Sequence, residues 1–255
     1  MLTGTEIAIA GLAALVAGLV NALAGGGTLI TFPALIALGV PPVVANVTNT
    51  VALSPGYLGG ILAQRRDLNG QGRRLLILVP AAVTGGFAGA VILLFTNAEI
   101  FRAIVPFLIL LGCALIVVQD RIRNWIRHRS EETDKGTGDG WFGTISVTLA
   151  SVYGGYFGAG LSVIVLAVLG LSYDESLTRL NALKQCIALA ANAAAAVFFI
   201  FSGSVLWVFA VVMAVGALAG GVIGGKVAGR IDPSRFRWVV AGIGVFVSIT
   251  LLLML

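Results

Sequence analysis

Apolar residues fill this chain in long, nearly uncharged runs, at about 5–23, 28–39, 43–63, 75–95, 100–118, 141–157, 161–171, 176–202, 204–225 and 237–255. Runs of this length predict helices that cross a bilayer, and hence an all-α polytopic membrane protein. Composition agrees: 58% of the 255 residues are hydrophobic, 11% are charged, and the mean hydropathy is +1.03. Soluble domains do not have this balance. The triplet Ala22–Leu23–Ala24 mimics a signal-cleavage site, but no Lys or Arg precedes the first run, which is therefore read as a retained helix.

The net charge of +5 would suggest nucleic acid in a soluble protein. Here 13 of the 16 Lys and Arg fall in three short segments: Arg65, Arg66, Arg73 and Arg74; Arg121, Arg123, Arg127, Arg129 and Lys135; Lys226, Arg230, Arg235 and Arg237. That is the signature of cytoplasmic loops, not of a nucleic-acid surface; the membrane is expected to be a bacterial inner membrane. With these segments inside, 43–63 runs inward, 75–95 outward and 100–118 inward. In the second half 176–202 runs outward, 204–225 inward and 237–255 outward, so both termini face out. The hydrophilic linker 120–140, "DRIRNWIRHRSEETDKGTGDG", separates a first membrane unit, 1–119, from a second, 141–255.

Two pairs remain, 5–23 with 28–39 and 141–157 with 161–171, and each pair must begin and end on one side. The second members rise only about 18 Å as helices, short of a hydrocarbon core of about 30 Å, so each pair is expected to be a re-entrant hairpin. Each half then reads as a re-entrant helical hairpin plus three transmembrane helices, and the two hairpins dip from opposite faces. Glycines repeat at a spacing of 131, pairing Gly27 with Gly158, Gly39 with Gly170, Gly85 with Gly216 and Gly89 with Gly220. Two inverted-topology repeats with broken helices are the architecture of secondary transporters, whose substrate site lies near the midplane where the breaks meet.

The breaks are glycine-rich. "NALAGGGTLITFP", Asn21 to Pro33, places Gly25, Gly26 and Gly27 before Thr28, and "GGYFGAG" places Gly158 and Gly160 before Ser162. Glycines there permit positive φ, leave the tip without side chains, and expose successive amides at the positive end of the following half-helix, an arrangement that attracts anions. Close helix packing is the competing use of the same residues. The next span of each half carries polar residues at i, i+3 and i+4: Asn46, Asn49 and Thr50, then Asn181, Lys184 and Gln185. Each set lines one helix face. Lys184 lies about 12 Å into its span, where an ammonium needs a cavity, an anion, or a stem that snorkels back to the surface. All eleven acidic residues lie in loops or at the ends of runs. An acidic proton relay and a carboxylate sodium site therefore lose support, and a small anion is the expected substrate.

At these positions the sequence resembles the TauE/SafE family of membrane permeases, the sulfite and organosulfonate exporters. The resemblance rests on "LAGGGTLITFPALIALGVPPVVANVTNT" and "YFGAGLSVIVLAVLGLSYDESLTRLNAL": a glycine-rich hairpin followed by a Pro, then a Leu-Gly and a short polar helix start, repeated in both halves. The second copy departs from the pattern at Ala159, which interrupts the glycines, and near Val165, where a proline is common. The likeness implies alternating-access export of sulfite, sulfoacetate or another sulfonate. An anion channel is the alternative, because broken helices also build filters.

The remaining features add less. Gly216, Gly220 and Gly224, with Gly221, Gly225 and Gly229, form two small-residue faces for the repeat interface or a homodimer. Asn192 and Thr84 are read as interhelical hydrogen-bonding residues. Cys113 and Cys186 have no short-spaced partner, and His128 sits in the basic linker, so neither a metal site nor a cofactor is expected. Ser54, Cys186 and several threonines are conceivable nucleophiles, but no base is placed to activate them, so the chain is not read as an enzyme.

Overall fold

The computed structural model describes residues 3–23, 25–132, 141–227 and 233–253. Among them the chain is helical, with no strand. The first half holds α1 (Gly4–Leu23), α2 (Thr28–Ala37), α3 (Pro42–Leu53), α4 (Gly56–Ala63), α5 (Gly72–Phe95) and α6 (Ala98–Glu132); the second holds α7 (Trp141–Tyr156), α8 (Leu161–Ser172), α9 (Leu177–Ile200), α10 (Trp207–Val227) and α11 (Pro233–Leu253). Five helices contain stretches long and apolar enough to cross a membrane: Gly4–Ala22, Gly72–Phe95, Ala98–His128, Leu177–Ile200 and Trp207–Gly224. Large apolar side chains point outward along them, Phe95 at 85% and Leu76 at 78% exposure, as suits a surface solvated by lipid. The chain is a multi-pass membrane protein.

Local sequence explains most boundaries. α2 ends in a Schellman turn: Gly39 has φ +79, its amide donates to the Ile36 carbonyl, and the Val40 amide donates to the Leu35 carbonyl. Pro42 then opens α3 at its first turn, where the missing N–H costs nothing. Two expectations change. The run 43–63 is not one helix: Pro55 cannot donate to the Val51 carbonyl, and the chain divides into α3 and α4 at Ser54–Pro55. The linker is not loop throughout, because α6 continues to Glu132; its remainder, 133–140, lies outside the described residues.

Packing crosses between the halves. α1 lies against α10, and α5 against α7. A side chain at Gly85 would strike the Thr148 carbonyl, and one at Gly216 the Gly11 carbonyl; a turn later, Gly89 abuts Val152 and Gly220 abuts Leu15. Thr148 and Val152 stand 137 positions after Gly11 and Leu15, so one contact pattern is made twice. Gly155 on the Gly86 carbonyl repeats as Gly18 on the Ala217 carbonyl, at the same two spacings. The spacing of 131 therefore relates α5 to α10, as expected for Gly85 and Gly216. It does not relate the hairpins: Gly39 is a left-handed cap after α2, whereas Gly170 is inside α8, against Ile126. In α10, Gly216, Gly220 and Gly224 face α1 and Gly221 faces α4, so these faces pack within the chain. The side chain position of Gly225 and all of Gly229 lie outside the described residues.

Candidate functional site

The two hairpins turn by the same device. At the end of α1, Gly25 has φ +71 and its amide donates to the Val20 carbonyl, five residues back, at 3.1 Å. At the end of α7, Gly158 has φ +79 and its amide donates to the Tyr153 carbonyl, also five back, at 3.2 Å. A side chain in this left-handed region costs about 1–2 kcal/mol, which is why glycine stands at both. The mate of Gly158 is thus Gly25 rather than Gly27. Gly27 caps α2 in right-handed conformation, φ −54, while Gly160 caps α8 at φ +76. The expected row of free tip amides is also partly taken up: beyond the Gly25 bond, the Gly26 amide donates to Asn21 Oδ1 at 3.1 Å. Thr28 opens α2, half-buried.

The tips meet. A Cβ added to Gly25 would lie 2.5 Å from Cβ of Ser162, in the first turn of α8, and the ring of Phe32 packs edge-on against Phe157 with centroids 5.2 Å apart. Between them stands Tyr57, buried in the first turn of α4 just past the Pro55 break; its hydroxyl faces the polar side chains of Asn21, Ser162 and Asn192. Four polar side chains from α1, α4, α8 and α9 are therefore gathered at one buried point. Tyr57 and Asn192 are 135 positions apart, the spacing that separates Pro42 at the start of α3 from Leu177 at the start of α9. They occupy corresponding places in the two halves and touch each other.

The other expected site residues lie elsewhere. Asn46 donates through Nδ2 to the Tyr156 carbonyl at 2.8 Å, tying α3 to the end of α7 beside the second tip. Its Oδ1 and that of Asn49 are buried without a partner, and as acceptors they do not favour an anion. Asn181, Lys184 and Gln185 form a separate group with Gly60 of α4 and Gln64 just past its end. Lys184 is eight residues before Asn192 on α9, about 12 Å along the axis. It is 1% exposed, so its stem does not snorkel to the surface. A groove of about 930 Å³ between α5 and α9 is lined by Ile61, Val83, Phe87, Leu189, Ala193 and their neighbours. Its polar groups are few: Thr84 turns its hydroxyl onto the Ala81 carbonyl of its own helix, not across to another as expected.

The family model described as Sulfite exporter TauE/SafE matches residues 10–251. The chain belongs to the TauE/SafE family. Among its relatives are a Haemophilus influenzae protein named "Probable membrane transporter protein", 27% identical over 80% of this chain and 78% of that one, and the Escherichia coli "Probable membrane transporter protein YfcA", 27% identical over 81% and 75%. A Sinorhizobium protein, "Probable membrane transporter protein ORF9", is 27% identical over 94% of this chain and 88% of its own. The TauE/SafE chain is accordingly a membrane transporter; Ser54, one of the conceivable nucleophiles, donates its hydroxyl to the Thr50 carbonyl at 2.7 Å.

Tyr57 and Asn192 escaped the TauE/SafE sequence pattern, for different reasons. Asn192 also bonds the Ala188 carbonyl of its own helix at 2.8 Å, an unremarkable role for an asparagine in a span. Tyr57 lies in an apolar run with nothing to distinguish it. One signal was available: Pro55, two residues before Tyr57, marks a break in a run that otherwise reads as one helix.

Proposed function

We propose that this chain is a secondary transporter of the bacterial inner membrane that exports a small sulfur-containing anion, sulfite, sulfoacetate or another sulfonate, by alternating access. One observation carries the reading: the hairpin tips meet at Gly25 and Ser162, and the Tyr57 hydroxyl faces Asn21 and Asn192 at the same point. Hydroxyl and amide groups from both halves converge on a point where the backbone is bare and two helices, α2 and α8, begin. Such groups can donate to sulfonate oxygens, and the helix starts add partial positive charge.

Inverted repeats are supported by the contacts that recur as α1 on α10 and α7 on α5, and by the identical Gly25 and Gly158 turns. Re-entrant hairpins are supported by the 10 and 12 residues of α2 and α8, about 15 and 18 Å of rise. Rocking one repeat against the other would open the tips to either side in turn. An inside-negative potential would assist expulsion by about 2.3 kcal/mol per charge per 100 mV.

The test is efflux from proteoliposomes loaded with sulfite, sulfoacetate, taurine, sulfate or chloride. The carrier reading expects saturable flux of one of the sulfur anions, accelerated by the same anion outside. Flux linear in concentration and indifferent to the outer solution would overturn it in favour of an anion channel.

A further inference from the structure

We propose a second anion site within the bundle, built on Lys184 and distinct from the hairpin tips. Lys184 is 1% exposed, and its ammonium donates to Asn181 Oδ1 at 2.6 Å; Asn181 in turn donates to Gln64 Oε1 at 2.9 Å. The relay offers the ammonium a neutral oxygen but no negative charge. The Arg123 guanidinium of α6, which has partners of its own, acts on Lys184 from a distance with the same sign. Glu175, nearby in sequence, is held by Arg74 at 2.6 Å and Arg179 at 2.7 Å.

A further donor completes the group. Gln185 is also 1% exposed, lies against Gly60 of α4, and its Nε2 is buried with no hydrogen-bond partner. Burying an ion without a counter-charge is costly, and so is leaving an amide donor unpaired. A buried amine held only by a neutral oxygen and an unmet amide donor, both on α9 against α4 and the residue after it, are complementary to one small oxyanion. The group sits at the end of α9 nearest the Arg65–Leu68 turn, about 12 Å from Asn192, and so would receive an anion before the tips do. That the ligand is the exported sulfur anion rests on the transport reading; the site itself rests on its own side chains.

Equilibrium dialysis of the purified protein against radiolabelled sulfite counts the sites. Wild type should bind two anions per chain, Lys184→Met one, and Lys184→Arg two, with thermal unfolding used to match folding among the variants. Ser162→Leu, which fills the space between the tips, should also lose one. If wild type binds a single anion that survives Lys184→Met and is lost in Ser162→Leu, the second site is overturned and the tip reading stands. A single anion lost only in Lys184→Met leaves the Lys184 site and overturns the tips. Equal loss in Lys184→Met and Lys184→Arg would refute a site based on charge, and no binding by wild type would refute both sites.

Discussion

Tyr57 contributes to the tips through its hydroxyl alone, because the ring would remain in Tyr57→Phe. That variant removes the hydroxyl that Asn21, Ser162 and Asn192 face. Loss of one buried hydrogen-bonding group costs about 1–3 kcal/mol, so a modest fall in thermal stability is expected, with transport reduced about tenfold or more. Measuring unfolding beside efflux separates the two, and unchanged efflux would remove Tyr57 from the site. The glycines divide in the same experiment. Gly25→Ala combines a left-handed φ with overlap on Ser162, and should impair transport more than folding. Gly27→Val instead drives a side chain toward the Ala17 carbonyl, 2.7 Å from a Cβ at that position, and should lower stability first. The sequence alone treats the three glycines as one tip; their backbone angles and neighbours give each a different task.

Among the elements, the break between α3 and α4 has the clearest consequence, since it sets where Tyr57 points. Pro55→Ala would restore a donor for the Val51 carbonyl and favour one straight helix. Thermal stability is expected to hold or rise while efflux falls severalfold; efflux at wild-type level would mean that the bend has no part in transport. Helix positions and the second-member lengths of the hairpins were legible because membrane helices announce themselves by apolar length. The split at Pro55 was not, since a proline within an apolar run can kink, cap or end a helix, and only tertiary packing decides among these. The Gly85–Gly216 correspondence was legible at 131. The hairpin correspondence was obscured because each pair of elements has its own spacing, 137 for α1 with α7 and 135 for α3 with α9. Loops of different length between otherwise similar helices erase any single register. Lys184 could be recognised as unusual from its depth in a span, but its separation from the tips follows from its place on α9 relative to Asn192.

Among the described residues, the first basic segment meets the start of α9 at one end of the bundle. The start of α5 is tied to the start of α9 by Gln71 Nε2 donating to the Arg179 carbonyl at 3.0 Å and by the Arg74–Glu175 pair, while Arg74 also lies 4.7 Å over the Tyr173 ring. Toward the other end of α9, the Leu206 amide donates to Thr48 Oγ1 at 3.0 Å, joining the turn before α10 to α3. If the basic end is cytoplasmic, α5 runs outward and its counterpart α10 runs inward. Single cysteines at Asn69 and Asn97, flanking α5, and at Ser204 and Lys226, flanking α10, report both directions once Cys113 and Cys186 are replaced. An impermeant maleimide should label positions 97 and 204 in intact cells and positions 69 and 226 only after permeabilisation. Labelling of 69 or 226 in intact cells would contradict the charge-based orientation. A pattern in which α5 and α10 ran the same way would be more damaging: the matched glycine contacts would then relate parallel units, and the tips could not approach the midplane from opposite faces.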